Sequence, residues 1–238
     1  MTVISFTSHG QRIAGNLFTA DKPSPLAFLL LHGWLGYQNV AAAQALATLG
    51  CTSMTYDMRG NGDSEGDLSL LTRADFLRDA AVAYDYFREQ VGEHVNIGVV
   101  GSSFGSYIGI LLSEKRAITC LSLRVPANYP DDGLHKTGRT NTVENPEYRE
   151  WRERALDYSQ NKALHALHSF KGNVQIIESE QDEQVPRQTV LNYVHTISDP
   201  QMLSYTVMAG APHSLMTPDV QANYISLLRA WAQKQIAR

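Results

Sequence analysis

Apolar positions along the chain follow two spacings, and the two alternate. Thr2 to Thr7 and Arg12 to Thr19 are short extended runs split by Ser8-His9-Gly10-Gln11, which predicts a hairpin. Leu26 to Leu31 is a continuous apolar run, as expected of a strand buried on both faces. Asn39 to Leu49 is alanine-rich and helical, with Gly50 placed to end it. Thr52 to Tyr56 reads as a strand. In Arg73 to Val91, residues Phe76, Leu77, Ala80, Ala83, Tyr84 and Phe87 recur at helical spacing. Val95 to Val100 and Ile118 to Val125 read as strands on either side of a small-residue helix, Phe104 to Ser113. Further on, the strands Val174 to Glu178 and Met202 to Met208 alternate with the helices Arg187 to Ile197 and Pro218 to Ile236.

A hairpin followed by strand–helix repeats predicts an α/β protein. Its sheet should be mostly parallel and eight-stranded, with helices on both faces. The alternation stops between Pro126 and Gly172, a stretch longer than a crossover needs. We therefore expect a core of residues 1–125 and 173–238, with residues 126–172 inserted as a lid. Two helical patterns fall in the lid, about Pro146 to Tyr158 and Asn161 to Phe170. In the first, Tyr148, Trp151, Ala155 and Tyr158 would share one face.

Composition narrows the functional classes. The 238 residues are 43% hydrophobic and 18% charged, with a formal net charge of -4 and no long charge run. Nothing in this favours nucleic acid or an anionic membrane surface as a partner. No apolar run approaches the length of a membrane span. The first ten residues have neither a basic segment nor an apolar one, so no secretory signal is expected. Cys51 and Cys120 fall at strands that two others should separate, too far apart for a disulfide. Free buried thiols suit a reducing compartment, and the expected location is cytoplasmic.

Two stretches match glycine–x–serine–x–glycine. Gly101-Ser102-Ser103-Phe104-Gly105 follows a predicted strand and opens a predicted helix. That setting projects a serine hydroxyl above a sheet edge as a nucleophile. Gly62-Asp63-Ser64-Glu65-Gly66 has no strand before it and no helix after it, and two acids flank its serine. Ser103 is the expected nucleophile. Such a serine needs a base and an acid later in the chain. His213 follows the last predicted strand in a loop and is the expected base, whereas His195 lies within a helical pattern. Asp182 is the expected acid, with Glu180 and Glu183 as alternatives. An oxyanion hole would use the backbone N–H of Phe104 and of Trp34, the latter in His32-Gly33-Trp34-Leu35-Gly36. Trp34, Tyr129, Tyr148, Trp151 and Tyr158 are candidates to line an apolar substrate pocket. No metal site is expected, because no cluster has ligand spacing; His165 and His168 read as an exposed helix face.

Taken together, His32-Gly33-Trp34, Asp57-Met58-Arg59-Gly60-Asn61-Gly62-Asp63-Ser64, the elbow at Ser103, Asp182 and Gly210-Ala211-Pro212-His213 resemble the α/β-hydrolase superfamily. The likeness runs from Arg12 to Ala237. With Leu123-Arg124-Val125-Pro126-Ala127 and a modest lid, the chain looks closest to the dienelactone-hydrolase-like and small-esterase branches. It departs from dienelactone hydrolases proper in carrying serine where they carry cysteine. The resemblance implies that the loop around Ser64 is structural. It also implies an esterase without a cofactor, acting on a small-molecule ester through an acyl-enzyme. Thioesters and amides are open to the same machinery, and a non-catalytic ligand-binding role is the reading from another class.

Overall fold

The computed structural model describes residues 1–137 and 146–237. Eight strands form one sheet: β1 (Thr2–Ser8), β2 (Gln11–Phe18), β3 (Leu26–Leu31), β4 (Ser53–Tyr56), β5 (Asn96–Ser102), β6 (Ile118–Arg124), β7 (Asn173–Gln181) and β8 (Leu203–Pro212). The order across the sheet is β1-β2-β4-β3-β5-β6-β7-β8. The β1–β2 hairpin and the β2–β4 pairing are antiparallel, and all other pairings are parallel. Among the described residues seven helices accompany them: α1 (Val40–Ala47), α2 (Arg73–Val91), α3 (Phe104–Leu112), α4 (Pro146–Arg152), α5 (Lys162–Ser169), α6 (Arg187–Thr196) and α7 (Pro218–Ile236).

Burial explains the strand composition. All six residues of β3 are buried, and they alternate between two cores. Ala27, Leu29 and Leu31 join the core against α2, α3, α5 and α6. Leu26, Phe28 and Leu30 join the core against α1 and α7. The order reverses about β3, which places a crevice at the carboxyl ends of β3 and β5, where α/β sheets hold their ligands. Cys51 and Cys120 are free and buried, with β3 and β5 between their strands. Among the described residues no helix is long and apolar enough to cross a membrane.

Two elements differ from the sequence pattern. The helix expected to reach Tyr158 ends at Arg152. Beyond it, Asn192 of α6 takes over the backbone: its Oδ1 accepts from Leu156 N at 3.1 Å and its Nδ2 donates to Arg154 O at 2.9 Å. Tyr158 sits instead on a separate 3-10 turn, Tyr158–Gln160, so it does not share a helical face with Tyr148 and Trp151. The last strand runs four residues beyond Met208, because parallel pairing with β7 resumes after an irregularity and sets Pro212 against Gln181.

Candidate active site

The turn expected to carry the nucleophile is one residue wide. β5 ends at Ser102 and α3 begins at Phe104, so Ser103 makes the whole reversal. Its backbone stands at φ 52° and ψ -114°, a region side chains rarely adopt and one that costs of order 1–3 kcal/mol. Neighbours hold it there. Ser103 N donates to Arg124 O at 2.9 Å, and Ser103 O accepts from Ser106 N at 3.0 Å and Ala127 N at 3.3 Å. The flanking glycines are required by space. A Cβ on Gly101 would stand 2.5 Å from Ser106 Cα, and one on Gly105 would collide with the carbonyl oxygens of Leu31 and His32.

Asp182 and His213 follow directly after the paired residues Gln181 and Pro212, so sheet register alone makes them neighbours. His213 Nδ1 lies 2.7 Å from Asp182 Oδ2 and 2.9 Å from Oδ1. Asp182 Oδ1 also accepts from Gln184 N and Val185 N, each at 2.8 Å, which fixes the carboxylate. With Nδ1–H given to Asp182, the lone pair is on Nε2, the arrangement a general base needs. Among the described residues no hydrogen bond joins Ser103 Oγ to that nitrogen; such bonds commonly tighten only once substrate is bound. The other carboxylates reach backbone instead. Glu180 accepts from Gly210 N at 2.7 Å and Glu183 from His213 N at 3.3 Å. Glu178 is buried, with Arg187 and the Tyr205 hydroxyl as partners. His195 is exposed on α6.

The loop after β3 lies against the elbow: a Cβ on Gly33 would be 3.5 Å from Ser103 Cβ. Leu35 takes φ 52°, and Gly36 N donates to Gly33 O at 3.0 Å, closing a tight turn. His32, which sequence reasoning used only as a marker, organises this loop. Its Nε2 accepts from Met58 N at 2.8 Å, so its Nδ1 carries the proton and donates to Gly33 O at 2.7 Å. Burial holds the His32 imidazole below its usual pKa, so this tie is made by a neutral ring. The Trp34 ring meets Phe104 edge-on at 5.3 Å and Phe76 at 5.6 Å.

Tyr129, Tyr148, Trp151 and Tyr158 lie in different surroundings. Tyr129 is fully buried, 5.9 Å from Phe104, with the guanidinium groups of Arg73 and Arg152 over its ring at 5.0 and 5.6 Å. Tyr148 is buried, Trp151 half-buried, and Tyr158 exposed and stacked on His168 at 3.8 Å. The cavity beside the elbow is elsewhere. It measures about 280 Å³ and lies on the α1/α7 side, lined by Leu30, Val100, Ser102, Arg124, Leu215 and Tyr224 among others. None of Tyr129, Tyr148, Trp151 and Tyr158 lines it. Arg124 also escaped sequence reasoning as a site residue. A charged residue at the end of an apolar strand was its only signal.

The alpha/beta hydrolase family model matches residues 28–234. No curated protein matches the chain. Among solved structures, it is similar to Est1E from Butyrivibrio proteoclasticus with ferulic acid bound, at 18% identity and a TM-score of 0.77, covering 99% of this chain and 100% of that one. It is also similar to alpha/beta hydrolase domain-containing protein 10 from mouse, at 20% identity and a TM-score of 0.68, over 99% and 100% of the two chains. An alpha-beta serine hydrolase homologue from Coxiella burnetii matches at 20% identity and a TM-score of 0.68, over 96% of each chain. With the family model covering most of its length, the chain belongs to the alpha/beta hydrolase family.

Proposed function

We propose that the chain is a serine hydrolase that cleaves small to medium carboxylic esters through an acyl-enzyme on Ser103. The observation that carries this reading is the Asp182–His213 pair at 2.7 Å, delivered by adjacent strands to the sheet edge that holds the strained Ser103. Ser103 Oγ attacks the ester carbonyl while His213 Nε2 takes its proton. The backbone N–H groups of Trp34 and Phe104 hold the oxygen that becomes negative. The tetrahedral species collapses, and His213 returns the proton to the leaving alcohol. Water, activated by the same imidazole, then releases the acid. Asp182 keeps the Nδ1–H tautomer and offsets the positive charge that forms on the ring. Thioesters and amides can enter the same sequence, and a panel separates them.

The test is labelling with a fluorophosphonate probe followed by turnover of p-nitrophenyl esters of rising acyl length. A hydroxycinnamate ester belongs in the panel, because the Est1E structure holds ferulic acid. Labelling that disappears in Ser103→Ala, with turnover of at least one ester, is the expected result. A wild-type chain that neither takes up the probe nor turns over any ester or thioester would overturn the proposal.

A further inference from the structure

We propose that Arg124 is a positioning residue that clamps the serine elbow to the histidine loop, an inference that rests on the hydrolase reading above.

The main chain of Arg124 holds one partner and its side chain the other. Arg124 O accepts from Ser103 N at 2.9 Å and from Ser106 Oγ at 3.2 Å, so it supports the elbow directly. Its guanidinium donates from Nη1 to Ser102 Oγ at 3.1 Å, beside the nucleophile. From Nη2 it donates to the carbonyl of His213 itself, with Pro212 O at 3.5 Å. Arg124 and His213 are 89 positions apart in sequence, so the bond is wholly tertiary. The next residue, Val125, sits at φ 40°, a strained position for a β-branched side chain, and its N–H is held by Ile177 O at 2.8 Å. The chain is thus fixed where Arg124 leaves the sheet.

The charge is unusual. Arg124 is 3% exposed, and among the described residues no carboxylate lies within ion-pair distance of it. Its Nε has no hydrogen-bond partner, and the guanidinium rests over the Tyr224 ring at 5.9 Å. An interior cation without a counter-ion is costly, and cores usually pair it, as Arg59 is paired with Asp79. Holding the base's own carbonyl gives that cation a purpose.

The test compares Arg124→Lys, which keeps the charge and loses the fork, with Arg124→Met, which loses both. We expect kcat to fall roughly 10- to 100-fold in each, with KM little changed, because a misplaced base slows chemistry without weakening binding. Ser102→Ala, which removes the Nη1 anchor alone, should lower kcat by about two- to fivefold at unchanged KM, and it keeps the proposal testable if the Arg124 variants do not fold. A rise in KM with kcat intact would make Arg124 a substrate contact and overturn the clamp. Unchanged kcat in every folded variant would overturn it too. A wild-type chain that takes up no fluorophosphonate removes the hydrolase reading and the clamp together; an active wild type with indifferent variants removes the clamp alone.

Discussion

Two stretches of this chain carry the same glycine–x–serine–x–glycine pattern, and they distribute strain in opposite ways. At Gly62-Asp63-Ser64-Glu65-Gly66 the glycines take the left-handed backbone, at φ 50° and 114°. Ser64 ties the loop down: its Oγ donates to Asp57 O at 2.6 Å and accepts from Ala14 N at 2.9 Å. At Gly101-Ser102-Ser103-Phe104-Gly105 the serine itself takes the left-handed backbone, at φ 52°, and the glycines clear space for chains that pass close by. No side-chain hydrogen bond caps the helix from Ser103. A serine with both hydrogen-bonding roles filled by backbone is a structural residue. A serine held in strain by its own main chain, with its hydroxyl left over, is available for chemistry.

The widest separation between the two serines should appear in activity. Ser103→Ala is expected to lower ester turnover by about 10⁶, the scale on which loss of a serine nucleophile acts, while the melting temperature holds. Steady-state kinetics and a thermal melt on the same preparation check both halves. Turnover retained in Ser103→Ala and lost in Ser64→Ala would reverse the comparison.

Next in size is Asp182→Asn, expected to cost up to about 10⁴ in kcat by presenting the wrong imidazole tautomer to Ser103. The structure sharpens why the neighbours should not substitute. Glu180 and Glu183 are already engaged with Gly210 N and His213 N. Near-normal turnover in Asp182→Asn would move the acid to one of them.

The third expectation concerns the ground under the Ser64 loop. Arg59, just upstream, donates to Asp79 from Nε at 2.8 Å and from Nη2 at 2.6 Å, and Ser8 Oγ donates to the same carboxylate at 2.5 Å. Both charges are buried. Asp79→Asn leaves the guanidinium uncompensated and should destabilise the fold by about 3–5 kcal/mol. Denaturant unfolding measures it, and a loss under about 1 kcal/mol would show that water reaches the pair.

The strands, the parallel sheet and the elbow were legible because each leaves a local mark. Leu26 to Leu31 is continuously apolar, as a strand buried on both sides is, and the helical spacing from Phe76 to Phe87 marks the buried face of α2. The reach of β8 to Pro212 was not legible. Gly210-Ala211-Pro212 reads as a loop, and only pairing with β7 makes it a strand end. The end of α4 was hidden for the same reason, since Asn192, distant in sequence, supplies the bonds that replace the helix. The ring stripe extrapolated past that point and failed at Tyr158. In the site, the neighbourhood of Asp182 and His213 follows from strand order, but the bond from Arg124 to His213 depends on a side-chain path that no spacing encodes.

The smallest effect, and the most direct test of the comparison, is Ser64→Ala. The substitution removes an oxygen that serves as donor and acceptor at once, between β2 and the loop after β4. Ala14 N and Asp57 O both lose that partner. Ser64 is half-buried, so water can replace part of what is lost, and the expected cost is about 1–2 kcal/mol. For a chain of this length that is a fall of roughly 2–8 °C in melting temperature. The rest of the loop should hold. Asp57 still accepts from Asp63 N at 3.1 Å and Gln38 Nε2 at 3.0 Å, and Glu65 still exchanges two bonds with the Arg12 backbone at 2.7 and 2.9 Å. His32 still accepts from Met58 N, so the loop that carries Trp34 keeps its tie. Turnover should therefore stay within about twofold of wild type below the melting transition. A loss of activity larger than the loss of folded protein would mean that the Ser64 loop reaches the reaction through Met58 and His32. The two serines would then be coupled, and the division between structural and chemical serine would fail at that bond.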